Sequence, residues 1–237
     1  PTFQINSSYY SSNGDLYNFI SQVSEPYIVF GQEGLSISIF PFTYNPQANS
    51  IQVLEHATFL VTFSGGAKSS KSLSFVQDSY LSKFFENYSN SQFKGTASYQ
   101  GKYLMITAPA FESTSASFAD YKRNHGYDVT VVNTNVTGTT SSAILNYILT
   151  LYNNSSTRPD FILLVGDHQH IPAADGNLSG EDLDNPITDL NYARLDGSDF
   201  FADVFLGRFS ITSTNELQNL INKSIYMEQN IPLLSKR

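Results

Sequence analysis

Two stretches of this chain gather side chains able to do chemistry. The first is Val165-Gly166-Asp167-His168-Gln169-His170-Ile171-Pro172, which closes the apolar run begun at Phe161. An Asp and two His at a strand end can ligate a metal ion or serve as general acid and base. They can equally be structural, with Asp167 accepting backbone N–H groups in a turn while both His edge the loop. The second stretch runs from Thr188 to Asp203 and crowds Asp189, Asp196, Asp199 and Asp203 around Gly197. Spaced Asp side chains and free carbonyls suit a hard cation such as Ca²⁺, which takes about six to eight oxygen ligands. The spacing is not that of an EF-hand, and a solvated acidic turn is the other reading. Ser is abundant, yet no Gly-x-Ser-x-Gly elbow is present and no glycine-rich phosphate loop follows a strand. With no cysteine in the chain, thiolate metal sites, disulfides and a cysteine nucleophile are excluded within it.

Elements of two kinds must position these residues. Leu35, Ile37 and Ile39 alternate with polar or opposite-face neighbours. After a turn through Tyr44-Asn45-Pro46-Gln47-Ala48-Asn49-Ser50, so do Ile51, Val53, Ala57, Phe59, Val61 and Phe63. This period of two predicts two antiparallel strands, each with one buried face. Tyr27–Phe30 predicts a third strand, and Leu16, Phe19, Ile20 and Val23 have the spacing of a short helix. Residues 64–101 turn Ser-, Lys- and Gly-rich and read as a connector with one short helix around Tyr80 to Phe85. Beyond Tyr103 strands and helices alternate: strands at 103–107, 128–132, 161–165 and 204–206, helices at 111–124 and 140–152. A long polar loop spans Pro172 to Asp189. A last helix is opened by the capping box Ser213-x-x-Glu216, with Leu217, Leu220, Ile221 and Ile225 inward. Such a series implies a mainly parallel sheet with helices on both sides, its ligand site beyond the carboxyl ends of the strands.

Composition narrows the function further. At roughly 150 residues per domain, 237 residues point to two domains. Thirteen basic residues against twenty-one acidic ones, a formal charge of −8, argue against a nucleic-acid partner. No apolar run approaches the ~20 residues of a membrane span. Charged residues are only 14%, with polarity carried by hydroxyls and amides, and sequons stand at Asn6, Asn87, Asn135, Asn153, Asn154, Asn177 and Asn222. Both features suit an exported glycoprotein, secreted or at the cell surface.

Four ordered motifs then carry a resemblance: Lys102-Tyr103-Leu104-Met105-Ile106-Thr107-Ala108-Pro109, Lys122-Arg123-Asn124-His125-Gly126-Tyr127-Asp128-Val129, Leu163-Leu164-Val165-Gly166-Asp167-His168 with Ile171-Pro172, and Asp189 to Ser210 closing in Gly207-Arg208-Phe209. Together they resemble the first half of the catalytic domain of gingipain-type cysteine peptidases. Phe40-Pro41-Phe42-Thr43-Tyr44-Asn45-Pro46 resembles that family's β-rich propeptide. The resemblance implies an α/β protein in which a β-rich propeptide-like domain with its connector (1–95) precedes a mainly parallel, caspase-like α/β subdomain (96–237). It implies a secreted endopeptidase acting on protein or peptide substrates through a Cys–His dyad, the thiolate attacking the carbonyl and the His serving as base and acid. In the family both dyad residues lie downstream of the Gly-Arg-Phe motif, so the partner implied is a downstream subdomain or chain carrying His and Cys. It further implies that Asp167 and His168 are structural, and that Asp199, the Phe201 backbone and Asp203 are ligands for a structural Ca²⁺. A noncatalytic surface or adhesion module with a degenerate peptidase fold is the alternative, and an N-terminal domain that covers the active site until cleaved is compatible with the peptidase. The apolar face of the last helix is expected to stand partly uncovered, held against a second chain.

Overall fold

The computed structural model describes residues 7–11, 21–62, 73–88, 100–176 and 187–230. The chain forms two compact units, Pro1–Tyr27 with Glu33–Ser69, and Ile28–Gln32 with Ser70–Arg237. The tip of an N-terminal hairpin thus belongs to the second unit, and the break falls at Ser69/Ser70, where sequence reading divides the chain at 95/96.

In chain order the N-terminal elements are α1 (Ser7–Tyr10), β1 (Ser21–Val23), β2 (Tyr27–Val29), β3 (Gln32–Gly34), β4 (Ile37–Ile39), β5 (Phe42–Asn45) and β6 (Ser50–Val53). β1 pairs antiparallel with β4 and β5 with β6, while β2 and β3 form a hairpin. The Asn45 side chain accepts the Ala48 N–H at 2.9 Å, which builds the turn between β5 and β6. The β2–β3 link is Phe30-Gly31, with φ of 51° and 74°, the two-residue turn whose twist matches a hairpin.

The long strand expected from Ile51 to Phe63 ends at Val53. Leu54 donates to the Pro41 carbonyl at 2.6 Å, and Pro41 has no N–H to return, so the ladder stops there. Glu55 also interrupts the apolar row. Nor are the expected faces buried: Ile39, Ile51 and Val53 are 45%, 65% and 63% exposed. Of the short helix expected over Leu16, Phe19, Ile20 and Val23, residues 16–20 lie outside the described residues, and Val23 closes the strand β1 instead.

The second unit opens with α2 (Phe75–Phe84), capped by a reciprocal Ser74–Gln77 box. It continues with β7 (Gly101–Thr107), α3 (Glu112–Asn124), β8 (Tyr127–Asn133), α4 (Thr134–Thr137), α5 (Ser141–Tyr152), β9 (Phe161–Val165), β10 (Ala174–Asp175), β11 (Ile187–Thr188), β12 (Phe205–Phe209) and α6 (Thr214–Asn230). Four strands pair in parallel in the order β12-β9-β7-β8. Alternate residues face opposite sides, so β7 and β9 each serve two cores. Leu104, Ile106, Ile162 and Leu164 pack with Ile144, Ile148 and Tyr152 of α5. Met105, Leu163 and Val165 pack with Phe118 of α3 and Leu217 and Ile221 of α6. Helices on both faces explain why β9 reads as one continuous apolar run.

One expectation fails here. Leu217 and Ile221 are 0% and 1% exposed, and Leu220 and Ile225 are partly buried against the same core, so the apolar face of α6 is covered. α3 supplies that cover, which the amphipathic pattern of α6 alone does not reveal. The α4 turn and the β10–β11 ladder, Ala174↔Thr188, also lay hidden in what reads as loop.

Candidate functional site

In an open parallel sheet the crevice opens where neighbouring strands send their connections to opposite sides. Here that place is between β7 and β9, whose carboxyl ends are joined by the Ala108 N–H bond to the Val165 carbonyl at 3.2 Å. Asp167 sits just past β9. Its Oδ1 accepts N–H bonds from Gln169 (3.0 Å) and His170 (3.2 Å) and lies 2.6 Å from His170 Nδ1. The His170 contact, followed by the two backbone donors, holds this carboxyl below its usual range. The His170 ring leans on Phe111 at 4.9 Å between centroids. Asp167 and His170 therefore form a fixed pair, while His168 is exposed and points its residue toward a separate cleft.

That cleft, about 150 Å³, is lined by His168, Ile187, Thr188, Asp189, Arg208 and Ser210. Arg208 organises it from β12. Its Nε and Nη2 donate to the two Asp189 oxygens at 2.7 and 2.6 Å, and Nη1 donates to the carbonyls of Gly166 (2.7 Å) and Ile171 (3.1 Å). One planar guanidinium thus ties β12, the Asp167 turn and the Asp189 loop together. Tyr192 supports the loop from beneath: its hydroxyl donates to the Pro172 carbonyl, and burial pushes its phenol up to about 12. Sequence reasoning assigned Arg208 only to a motif and missed its role; a cation inside an otherwise apolar strand was the available signal.

The residues proposed for Ca²⁺ lie in the same loop but are held by backbone donors. Asp199 accepts the Phe201 N–H on Oδ1 at 2.8 Å and the Ile28 N–H on Oδ2 at 2.6 Å. Asp203, fully buried, accepts the Leu195 and Asp196 N–H groups on Oδ2 at 2.8 Å each. Among the described residues no group of three or more His, Cys, Asp or Glu stands together as a metal site.

A parallel α/β sheet carrying an arginine-clamped cleft at its carboxyl ends, preceded by small antiparallel β ladders, defines the class. Residues 96–236 match Peptidase family C25 and residues 1–93 match its propeptide, Propeptide_C25, so the chain belongs to this gingipain-type cysteine peptidase family. Among its relatives is Gingipain R2 of Porphyromonas gingivalis, 26% identical over 222 residues, covering 90% of this chain and 29% of that protein. Gingipain R1 of the same organism is 27% identical, covering 94% and 22%. Lys-gingipain HG66, also from Porphyromonas gingivalis, is 25% identical, covering 96% and 14%. The crystal structure of the Arg specific cysteine proteinase gingipain R is similar with a TM-score of 0.47 and 28% identity, covering 53% of this chain and 28% of that one. The chain spans less than a third of the length of these relatives. Among the described residues no helix is long and apolar enough to cross a membrane.

Proposed function

We propose that this chain is the N-terminal part of a secreted gingipain-like cysteine endopeptidase, its Cys–His dyad carried by a downstream portion or partner chain. The observation that carries this reading is the succession of propeptide and peptidase matches along a chain without a single cysteine. A cysteine peptidase needs a thiolate to attack the peptide carbonyl and a base beside it. The α/β unit then contributes scaffold: the parallel sheet, the Arg208 clamp and a cleft whose walls are already bonded in place. His170 is not assigned as the catalytic base. The sequence offers no thiol for it to activate.

Export is supported by the exposure of Asn87, Asn135, Asn153, Asn154 and Asn222, which leaves these sequons open to a glycosylating enzyme. We assign the 199–203 turn a structural Ca²⁺ role. Two carboxylates and the Phe201 carbonyl within five residues are hard-oxygen chemistry, and binding would exchange their present N–H donors for the ion.

The test compares the pure chain with the parent polypeptide on peptides carrying Arg or Lys before the scissile bond, with and without a thiol alkylator. The expected result is hydrolysis by the parent alone, abolished by alkylation. Hydrolysis by the cysteine-free chain, or a parent inactive on every peptide, overturns the reading in favour of other chemistry or a noncatalytic module.

A further inference from the structure

We propose that Asn154 is a glycan acceptor presented by the folded α/β unit, in preference to Asn135 and Asn222. Its side-chain amide nitrogen attacks the anomeric carbon of a lipid-linked oligosaccharide, the bond from that carbon to the lipid phosphate breaks, and the amide gives one proton to the enzyme's base. The setting is the exported state proposed above, and the peptidase chemistry plays no part. Exposure leaves several sequons reachable, but the Asn-x-Ser/Thr rule ties the asparagine to a hydroxyl two residues on, so one enzyme pocket has to reach both. Helical backbone defeats this: at about 3.6 residues per turn, side chains two apart diverge by about 200°.

Asn222 stands inside α6, where its Oδ1 accepts the Gln218 Nε2 group at 3.0 Å and Ser224 follows on another side of the helix. Asn135 lies in α4, where Thr137 is only 5% exposed and its hydroxyl donates to the Gly138 carbonyl at 3.0 Å. Asn153 caps the end of α5 with helical dihedrals, its N–H on the Leu149 carbonyl at 3.0 Å. Asn6 and Asn177 lie outside the described residues, as does Ser89 of the Asn87 sequon.

Asn154 is different. It opens a turn closed by the Thr157 N–H on the Asn154 carbonyl at 3.0 Å. Its Oδ1 accepts the Ser156 N–H at 3.0 Å and the Ser156 hydroxyl at 2.8 Å, so carboxamide and sequon hydroxyl share one side of the turn. A backbone N–H can meet only the oxygen of a carboxamide, which places Nδ2, the nucleophile, on the side away from Ser156. Residues 153–157 are all exposed. The foot of the turn is fixed: Arg158 Nε donates to the Tyr152 carbonyl at 2.6 Å and its guanidinium lies 5.1 Å from the ring of Tyr152, which is 1% exposed. The turn is therefore presented ready-made, with no helix to unwind.

Position gives the glycan a consequence. Asn154 lies between α5 and β9, before the amino end of that strand, whereas Asp167 and His168 follow its carboxyl end. The five residues of β9, at about 3.3 Å each, stand between them. A sugar chain on Asn154 thus covers the rim opposite the Arg208 cleft and leaves the cleft open.

To test it, the folded chain and three synthetic peptides spanning residues 131–139, 150–158 and 218–226 are treated with a purified single-subunit oligosaccharyltransferase and its lipid-linked donor. Glycopeptide mass spectrometry follows each asparagine. All three peptides are expected to react, since none keeps its fold. In the folded chain Asn154 is expected to stay within about tenfold of its peptide's rate, while Asn135 and Asn222 fall at least about a hundredfold below theirs, because local unfolding has to come first. Equal suppression of Asn154, modification of Asn153 in its place, folded-chain rates at Asn135 or Asn222 that match their peptides, or a 150–158 peptide that is no acceptor would overturn the assignment. The reaction needs neither hydrolysis nor secretion, so its outcome is separate from that of the peptidase test.

Discussion

The guanidinium of Arg208 meets the carboxylate of Asp189 edge to edge, Nε to Oδ2 at 2.7 Å and Nη2 to Oδ1 at 2.6 Å, although nineteen residues separate them in the chain. The third nitrogen serves the Gly166 and Ile171 carbonyls, so a single side chain ties β12 to the Asp189 loop and to the turn after β9. Arg208→Ala leaves a partly buried carboxylate and two carbonyls without this donor, and the expected loss is about 2–3 kcal/mol. Arg208→Lys restores charge but not the fork, so it recovers only part. Urea unfolding midpoints check both; a change under about 0.5 kcal/mol, the range of an ordinary surface substitution, would remove the clamp role.

Asp167 sets a pH dependence. The His170 ring and two backbone N–H groups hold its carboxyl below the usual range in the folded chain. In the unfolded chain an Asp titrates near about 3.9. The ionised form is favoured by folding, so the contribution is present above that value and is lost as pH falls through the lower folded one. Asp167→Asn is expected to flatten the acid limb of stability against pH and leave the neutral region's slope alone. Chemical-shift titration of Asp167 in a His170→Ala variant should show its carboxyl moving back up.

Gly101 lies at φ +117°, and a Cβ on it would stand 2.7 Å from Asp160 Oδ2. That carboxylate, itself raised by burial, accepts the Lys102 N–H at 2.7 Å. Gly101→Ala is therefore expected to cost about 2–4 kcal/mol from strain and displacement together. In an Asp160→Ala background the same change should cost less, because the carboxylate clash is gone while the dihedral penalty and the Phe161 contact at 3.3 Å stay. Equal costs in the two backgrounds would show that the contact is not the cause.

For the 199–203 turn, a ligand that binds only the folded state adds RT ln(1 + [L]/Kd), about 2.7 kcal/mol at a hundredfold excess over Kd. Thermal melts with Ca²⁺ and with chelator should separate for the native sequence and coincide for Asp199→Ala. Coincident curves for both would reduce the acidic stretch to a loop tied by its own backbone bonds.

The α/β series is legible in the order of residues. Alternating apolar runs and helical stripes from Tyr103 onward, with Thr140 and the Ser213–Glu216 box at helix starts, specify elements through local periodicity and capping, and these match β7 to α6 closely. The family was legible for the same reason, since motifs such as Gly207-Arg208-Phe209 are local strings. What those elements touch is set by packing across the whole fold. The alternation at Ile39, Ile51 and Val53 marks an apolar face without saying whether anything covers it. The stripe on α6 does not name α3 as its cover. Asp167 and His170 pair because a turn brings residues three apart together, which spacing suggests. The pairing of Arg208 with Asp189, and of Ile28 with Asp199 across 171 residues, depends on strand order and on a hairpin folding back onto the loop. Long-range hydrogen bonds of this kind are set by which surfaces pack, a property of the whole chain that no window of residues contains.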